Sequence, residues 1–297
     1  YIPSMIGFTV ILVAVTVWVL AIISKSFIKI ATSQGTVAKV RYKEKIIKEK
    51  SPFKALLEKE MKKFTSNANY MLNCGFGSIF MILFGGLILI KKELIFEIID
   101  GFVQTTSSMD ITICEGDIVI VFITVICALI ALNDMVVPSV SLEGKSIWIL
   151  QSLPVKPWNI LKAKICVQLI ITGIPMIFCQ ICMLLMMRAS VFELILAMLI
   201  PIAFLVFITL FGMYLGIKRP NLTWTNEITP IKQSLSVAIA MFGGMAVPVV
   251  MCAIYLVVAK PIGSVVYMCL FLALIIVGSV IFYMWLKKKG SELFAKL

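Results

Sequence analysis

Gly144-Lys145-Ser146 has the ending of a phosphate-binding loop, and a complete loop would let the chain hold a nucleotide. The motif needs Gly-x-x-x-x-Gly-Lys-Ser/Thr after a strand, so that backbone amides surround the phosphates. The first glycine belongs at position 139, which is Ser139, the preceding residues read as a membrane span, and no Walker B aspartate follows a second strand. Nucleotide binding by this chain is excluded. Cys179-Gln-Ile-Cys182 puts two thiols on one helical face, the spacing of a zinc or redox pair, but the chain has no second pair and no histidine. Packing within an apolar helix is the better reading. Glu93, Glu97 and Asp100 share a helical face and could gather a hard cation, yet such ions want six or more oxygens and Lys91 and Lys92 sit beside them. A helix lying on the outer surface accounts for them better. Acid-base hydrolysis lacks a histidine, and the carboxylates near the spans are few, Asp134 at an inner end and Glu193 at an outer end.

The elements that must position these residues are membrane helices. The 297 residues are 61% hydrophobic and 14% charged, far from the proportions of a soluble domain. Apolar runs reach the roughly 20 residues that cross a hydrocarbon core of about 30 Å. They predict an all-α polytopic fold with seven spans, at about 4–24, 70–90, 118–138, 163–187, 193–217, 234–259 and 263–286. With residue 1 outside, 23 of the 27 basic residues fall on the inner side and four (Lys91, Lys92, Arg188, Lys260) on the outer. Basic loops stay cytoplasmic, so the carboxy terminus is expected inside. Topology and anionic lipid account for the net charge of +12 without nucleic acid. The first span does not read as a cleaved secretory signal, and a chain opening on Tyr1 suggests a missing amino-terminal part. Seven of the eight cysteines lie in spans and Cys114 in the outer loop, so no disulfide framework is expected.

Two domains follow: residues 1–50, a leading span with a basic linker, and residues 51–297, a six-helix unit. At 51–64, Ser51 caps and Pro52 opens a helix with Phe53, Leu56, Leu57 and Phe64 on one side and Lys54, Glu58, Lys62 and Lys63 on the other. It reads as an amphipathic helix on the inner membrane surface. Small residues in 70–90 and Gly212-x-x-x-Gly216 provide close helix packing, more readily within the bundle than between copies. Pro175, Pro201 and Pro248 bend three successive spans and free a carbonyl in each.

Between the third and fourth spans, "SLEGKSIWILQSLPVKPWNILKAK" forms a compact inner protrusion. Ser141 caps a short helix that must stop before Pro154, Ile147 and Trp148 anchor it, and Glu143, Lys145 and Gln151 offer polar groups outward. A second inner loop, 218–234, has Trp224 for the headgroups and Thr225 or Asn226 to cap a turn containing Glu227 before Pro230. Gln168, Thr172 and Gln180 recur along the fourth span and could line a pathway or join helices.

These stretches, with the Glu-Gly-Lys-x-x-Trp-x-Leu-x-x-Leu-Pro string at their centre, resemble the permease subunits of ABC-2 type exporters of Gram-positive bacteria over residues 51–286. The resemblance implies a six-helix permease preceded by an interface helix, in the plasma membrane, with a coupling helix that enters a groove on a separate cytosolic ATPase. Glu143, Gly144, Lys145, Trp148, Leu150, Leu153 and Pro154 would form that contact, with Trp224, Asn226, Glu227, Lys232 and Gln233 in the second inner loop. It implies no cofactor in this chain, with ATP and magnesium on the partner, and contact with lipid and with a second permease copy or a preceding membrane half. The sequence departs from the family in its short link around "AKPIGS" and its extra first span. A scaffold or sensor recruiting a cytosolic partner through its basic inner face is the alternative expectation.

Overall fold

The computed structural model describes residues 2–32, 50–91, 93, 97, 101, 115–187 and 189–297, and helices are the only regular secondary structure among them. Asp100, Cys114, Arg188 and residues 33–49 lie outside the described residues. The chain divides into two units, Tyr1–Glu49 and Lys50–Leu297. The first contains α1 (Ile2–Thr32), with an apolar, exposed stretch over Leu12–Ser24.

The second unit runs through α2 (Pro52–Ser66), α3 (Ala68–Cys74), α4 (Phe76–Ile90) and α5 (Glu115–Ala131) to an elbow made of a 3-10 stretch (Ser141–Ser146) and α6 (Ile147–Gln151). It continues through α7 (Pro157–Leu184), α8 (Val191–Lys218), α9 (Ile228–Lys232), α10 (Leu235–Ile254), α11 (Ser264–Trp285) and α12 (Ser291–Lys296). Single π turns at Tyr255–Ala259 and Leu286–Gly290 extend α10 and α11. Four helices, Pro157–Leu184, Val191–Lys218, Ile228–Ile262 and Ser264–Lys296, are long and apolar enough to cross a membrane, or five if α3 and α4 form one bent span. This is the make-up of a multi-pass membrane protein.

Three expected spans are irregular. The second is bent by 53° between α3 and α4. Gly75 packs there against Phe64, and a Cβ on Gly77 would collide with the Leu129 carbonyl, so the bend seats α4 directly on α5. The sixth ends its α-helix at Ile254 and finishes as a π turn. The third, expected at 118–138, stops being helical at Ala131. Asn133 and Asp134 are buried there and Pro138 lacks an amide for a helical ladder, so side chains take over the pairing. Gln168 on α7 does most of it: its Oε1 accepts from Val136 N (2.8 Å) and its Nε2 donates to Asn133 O (2.9 Å). Tyr70 OH donates to Met135 O, and Ser139 Oγ donates to Val136 O (2.6 Å).

Two of the three prolines show the same substitution of side chain for backbone. Pro201 leaves Ala197 O without its helical donor, and Gln180 Nε2 donates to it (3.4 Å) and to Met198 O (3.1 Å). Pro175 frees Ile171 O, which Ser78 Oγ reaches at 3.4 Å. The Gly212/Gly216 pair is spent within the bundle: Cβ atoms there would press into Val137, at 3.0 Å from its side chain and 2.5 Å from its carbonyl oxygen respectively.

α2 packs on the bundle through its apolar side. Leu56 and Phe64 are buried against the bundle, with Glu60 between them, so the apolar stripe is consumed by protein contacts and the outward face shows Lys54, Lys59 and Lys62. Ser51 contributes its carbonyl to Ala55 N (3.1 Å), but its hydroxyl makes no cap; Pro52 opens the helix as expected.

Replacing Gln168 by Leu leaves a buried donor and acceptor unmet at the broken third span. We expect a loss of about 2–6 kcal/mol, from about 1–3 for each orphaned group, against under about 1 for Ile170→Val on the lipid-accessible side. Thermal unfolding in detergent measures both.

Candidate functional site

The elbow is shaped by one residue that only glycine suits. Gly144 has φ 53° and ψ −139°, which lets the 3-10 stretch turn sharply into α6. A Cβ at this position would lie 3.2 Å from the indole of Trp224. That indole donates from Nε1 to Ser141 O (2.6 Å), and Ser141 Oγ accepts from Asn221 N (3.0 Å). Ser141 therefore does not cap a helix but ties the two expected loops together, and Trp224, half-buried, is a clamp on the elbow rather than a headgroup anchor. Asn226 Oδ1 accepts from Ile228 N (3.0 Å) and opens α9, which runs through Pro230 to Lys232. Glu227 accepts from Asn67 Nδ2, and Lys232 and Gln233 remain exposed.

Beneath the elbow is a buried ion cluster. Lys164 of α7 has no exposed side-chain surface. Its Nζ donates to Glu143 Oε1 (2.6 Å), Glu60 Oε2 (2.9 Å) and Ser139 O (3.0 Å), which matches the three protons of an ammonium with three acceptors. Lys63 lies 3.1 Å and Lys59 3.2 Å from Glu143 Oε1, and Lys59 also reaches Glu60 Oε1 at 3.2 Å. Three lysines and two glutamates thus join α2, the elbow and α7. Burial raises the Glu143 pKa, but Lys164, Lys63 and Lys59 together outweigh it and hold the carboxyl well below its ordinary value.

Glu143 was expected to point at a partner. It is 8% exposed because three ammonium groups draw it inward. Gln151 likewise turns inward, donating from Nε2 to Phe294 O (3.0 Å), so the carboxy-terminal α12 props the elbow from behind. Ile147 and Leu150 are buried beside Phe294 and Leu286. What remains on the outside is Lys145, Trp148, Ile149, Leu153 and Pro154, with Trp148 63% exposed.

Of the pathway trio, Gln168 and Gln180 are buried and bonded to irregular backbone, the helix-joining role. Thr172 is buried, and its Oγ1 has no partner among the described residues. Among the described residues no group of three His, Cys, Asp or Glu could hold a metal ion, and Cys179 and Cys182 are buried free thiols.

A second polar cluster closes the other end of the bundle. Asp117 at the start of α5 accepts from Tyr255 OH (2.6 Å) and pairs with Lys260 (3.0 Å). Glu193 Oε1 accepts from Ser264 Oγ (2.7 Å), while its Oε2 accepts from Ser190 N (3.0 Å) in a reciprocal cap of α8. Gly116 fits between Glu193 and Ser264, where a Cβ would collide with both. Glu193 is therefore a cap and a clasp. Sequence reasoning passed over Asp117, Tyr255, Glu60 and Lys164. The one legible signal was a charge at the edge of an apolar run, in Lys164 and Asp117, which needs a partner from elsewhere in the chain.

No family model, curated protein or solved structure matches this chain.

Two outcomes follow from the cluster. A carboxyl whose folded pKa lies below its unfolded value contributes stability that is full above about pH 4.3 and is lost as pH falls toward the folded pKa. Thermal unfolding from pH 7 to pH 3 should therefore show acid destabilisation that is flatter in Glu143→Gln. That variant should also be less stable at pH 7, by about 3 kcal/mol, since a buried ammonium loses its counter-charge. Gly144→Ala should cost about 1–3 kcal/mol through its backbone conformation, and hydrogen exchange should rise across 141–151.

Proposed function

We propose that this chain is the membrane subunit of an ATP-driven exporter of the ABC-2 permease type, in a bacterial plasma membrane with its carboxy terminus in the cytoplasm. A separate cytosolic subunit binds magnesium-ATP and hydrolyses it; this chain contributes no ATPase site. The reading is carried by one observation: a stiff elbow between α5 and α7 that displays Trp148, Ile149 and Leu153 while its Glu143 and Gln151 are committed inward. An apolar surface rimmed by polar residues marks a contact with another protein or with lipid, and we read this one as a protein contact. An elbow bonded on three sides transmits displacement instead of absorbing it, so closure of the ATPase would move α7 through Lys164 and α8 through the Trp224 clamp.

The seven-pass arrangement counts α1, the bent α3–α4 pair, α5, α7, α8, α10 and α11. Seventeen-residue α5 covers about 25 Å, at the short end of what spans a bilayer. On this reading α2 is the interface helix, the elbow is the coupling helix, and a second copy or a preceding membrane half completes the pathway. Glu143 and Gly144 then act as internal supports of the coupling helix, and the outer contact falls to Lys145, Trp148, Leu153 and Pro154.

A scaffold that recruits a cytosolic partner by charge is favoured by one observation, the outward lysines of α2. The two readings separate on a binding measurement with a purified ABC ATPase subunit. Trp148→Ala should weaken the complex at least tenfold and abolish stimulation of ATP turnover, with thermal stability unchanged. Association that survives Trp148→Ala but collapses between 50 and 500 mM salt would favour the scaffold. Membrane-impermeant amine labelling of Lys145 in intact cells would sink both.

A further inference from the structure

Three times at the elbow's end of the bundle an aromatic side chain is followed about one turn later by a lysine: Tyr214 by Lys218 on α8, and Tyr283 by Lys287 and Trp285 by Lys289 on α11 and its π turn. Two of these pairs come from different helices and meet. The Tyr214 and Trp285 rings touch edge to face with centroids 4.7 Å apart, and Lys218 Nζ donates to Tyr214 OH (2.9 Å), which holds its ammonium beside that contact. Lys289 continues the face of Trp285 and brings a second ammonium to the same crevice. Lys218, Arg219 and Lys287–Lys289 are all exposed, and none forms an ion pair among the described residues. Behind this basic mouth the crevice is apolar. Phe207, Phe211 and Tyr214 of α8 and Phe282 and Trp285 of α11 are half-buried, and their rings touch in series at centroid distances of 4.7 to 6.2 Å. Phe207 lies about 16 Å from Lys218 along α8, so the series reaches well into the hydrocarbon.

We infer that the crevice between α8 and α11 holds one anionic phospholipid, with its phosphodiester between Lys218 and Lys289 and an acyl chain along the ring series. A basic pocket between membrane helices suits such a headgroup, and the order of groups along each helix matches the order in a lipid. Rings sit at the level of the glycerol and upper chain, while lysines one turn further out reach the phosphate. Positive charge that served topology alone would need no convergence of two helices on one crevice. A free phosphate would fit the mouth but leave the rings without a partner. Nothing in this site depends on export or on an ATPase.

The test is electron spin resonance of spin-labelled phosphatidylglycerol and phosphatidylcholine around the full chain in phosphatidylcholine bilayers. The intact chain should immobilise phosphatidylglycerol in preference to phosphatidylcholine, at about one lipid per chain. Lys218→Gln with Lys289→Gln removes two exposed charges from the mouth and should cut that preference at least about fivefold. Lys54→Gln with Lys156→Gln removes the same exposed charge elsewhere and should change it less than about twofold. Inorganic phosphate at matched ionic strength should leave the preference intact, since it offers nothing to the rings. Equal loss in the two double variants would mean that lipid follows total charge, and the site would fall. Loss of the preference to inorganic phosphate would leave an anion site without a lipid, which overturns the inference, as does an intact chain that shows no preference.

Discussion

An ammonium group with no exposed surface must be met by acceptors on every side, and Lys164 meets that demand with groups from three separate elements. Glu60 fixes α2, Glu143 fixes the elbow, and Ser139 O fixes the chain that leads from the broken third span. Removing a charge from water costs several kcal/mol, and that cost is offset only while all three acceptors stay in place. Position and charge are therefore locked together here: the elbow cannot drift from α7 without stranding a buried cation. Losing either glutamate would leave the ammonium buried and short of a counter-charge, so the group fixes where α2 and the elbow sit on α7.

The irregular backbone of the bundle obeys the same accounting. Where α5 stops at Ala131, Gln168, Tyr70 and Ser139 replace the missing ladder, and where proline removes a donor in α7 and α8, Ser78 and Gln180 supply one. In lipid an unpaired carbonyl has no water to turn to, so at these breaks a side chain from a neighbouring element takes the place of the lost backbone donor. In the fourth span, Gln168 and Gln180 each supply hydrogen bonds that a break in a neighbouring segment leaves unmade.

Much of the architecture is legible from sequence because hydrophobic runs and prolines act locally. Spans four to seven fall within a few residues of α7, α8, α10 and α11, and Pro52 marks the start of α2. The break at 132–140 was hidden because Val136 and Val137 extend the apolar run of α5 past the point where Asn133 and Asp134 interrupt the helix. Composition averages over such a change. The inward turn of Glu143 was hidden for another reason: its partners lie 21, 80 and 84 residues away in the chain, and pairing at that distance leaves no periodic signature. The clamp by Trp224 is of the same kind, since an aromatic residue near a membrane edge has an ordinary explanation ready. Gly144 was visible as part of a motif, and its actual reason is steric.

Gln180 bridges α7 to Ala197 O, the carbonyl that Pro201 leaves open in α8, and to its neighbour Met198 O. Sliding α7 along α8 would pull the amide from its acceptors in an apolar layer that offers no substitute. Ser264 Oγ of α11 donates to Glu193 of α8 (2.7 Å) and Tyr267 OH of α11 donates to Met251 O of α10 (2.6 Å), so one chain of side-chain bonds strings the four long helices together, and none of them can slide past its neighbour without breaking a link.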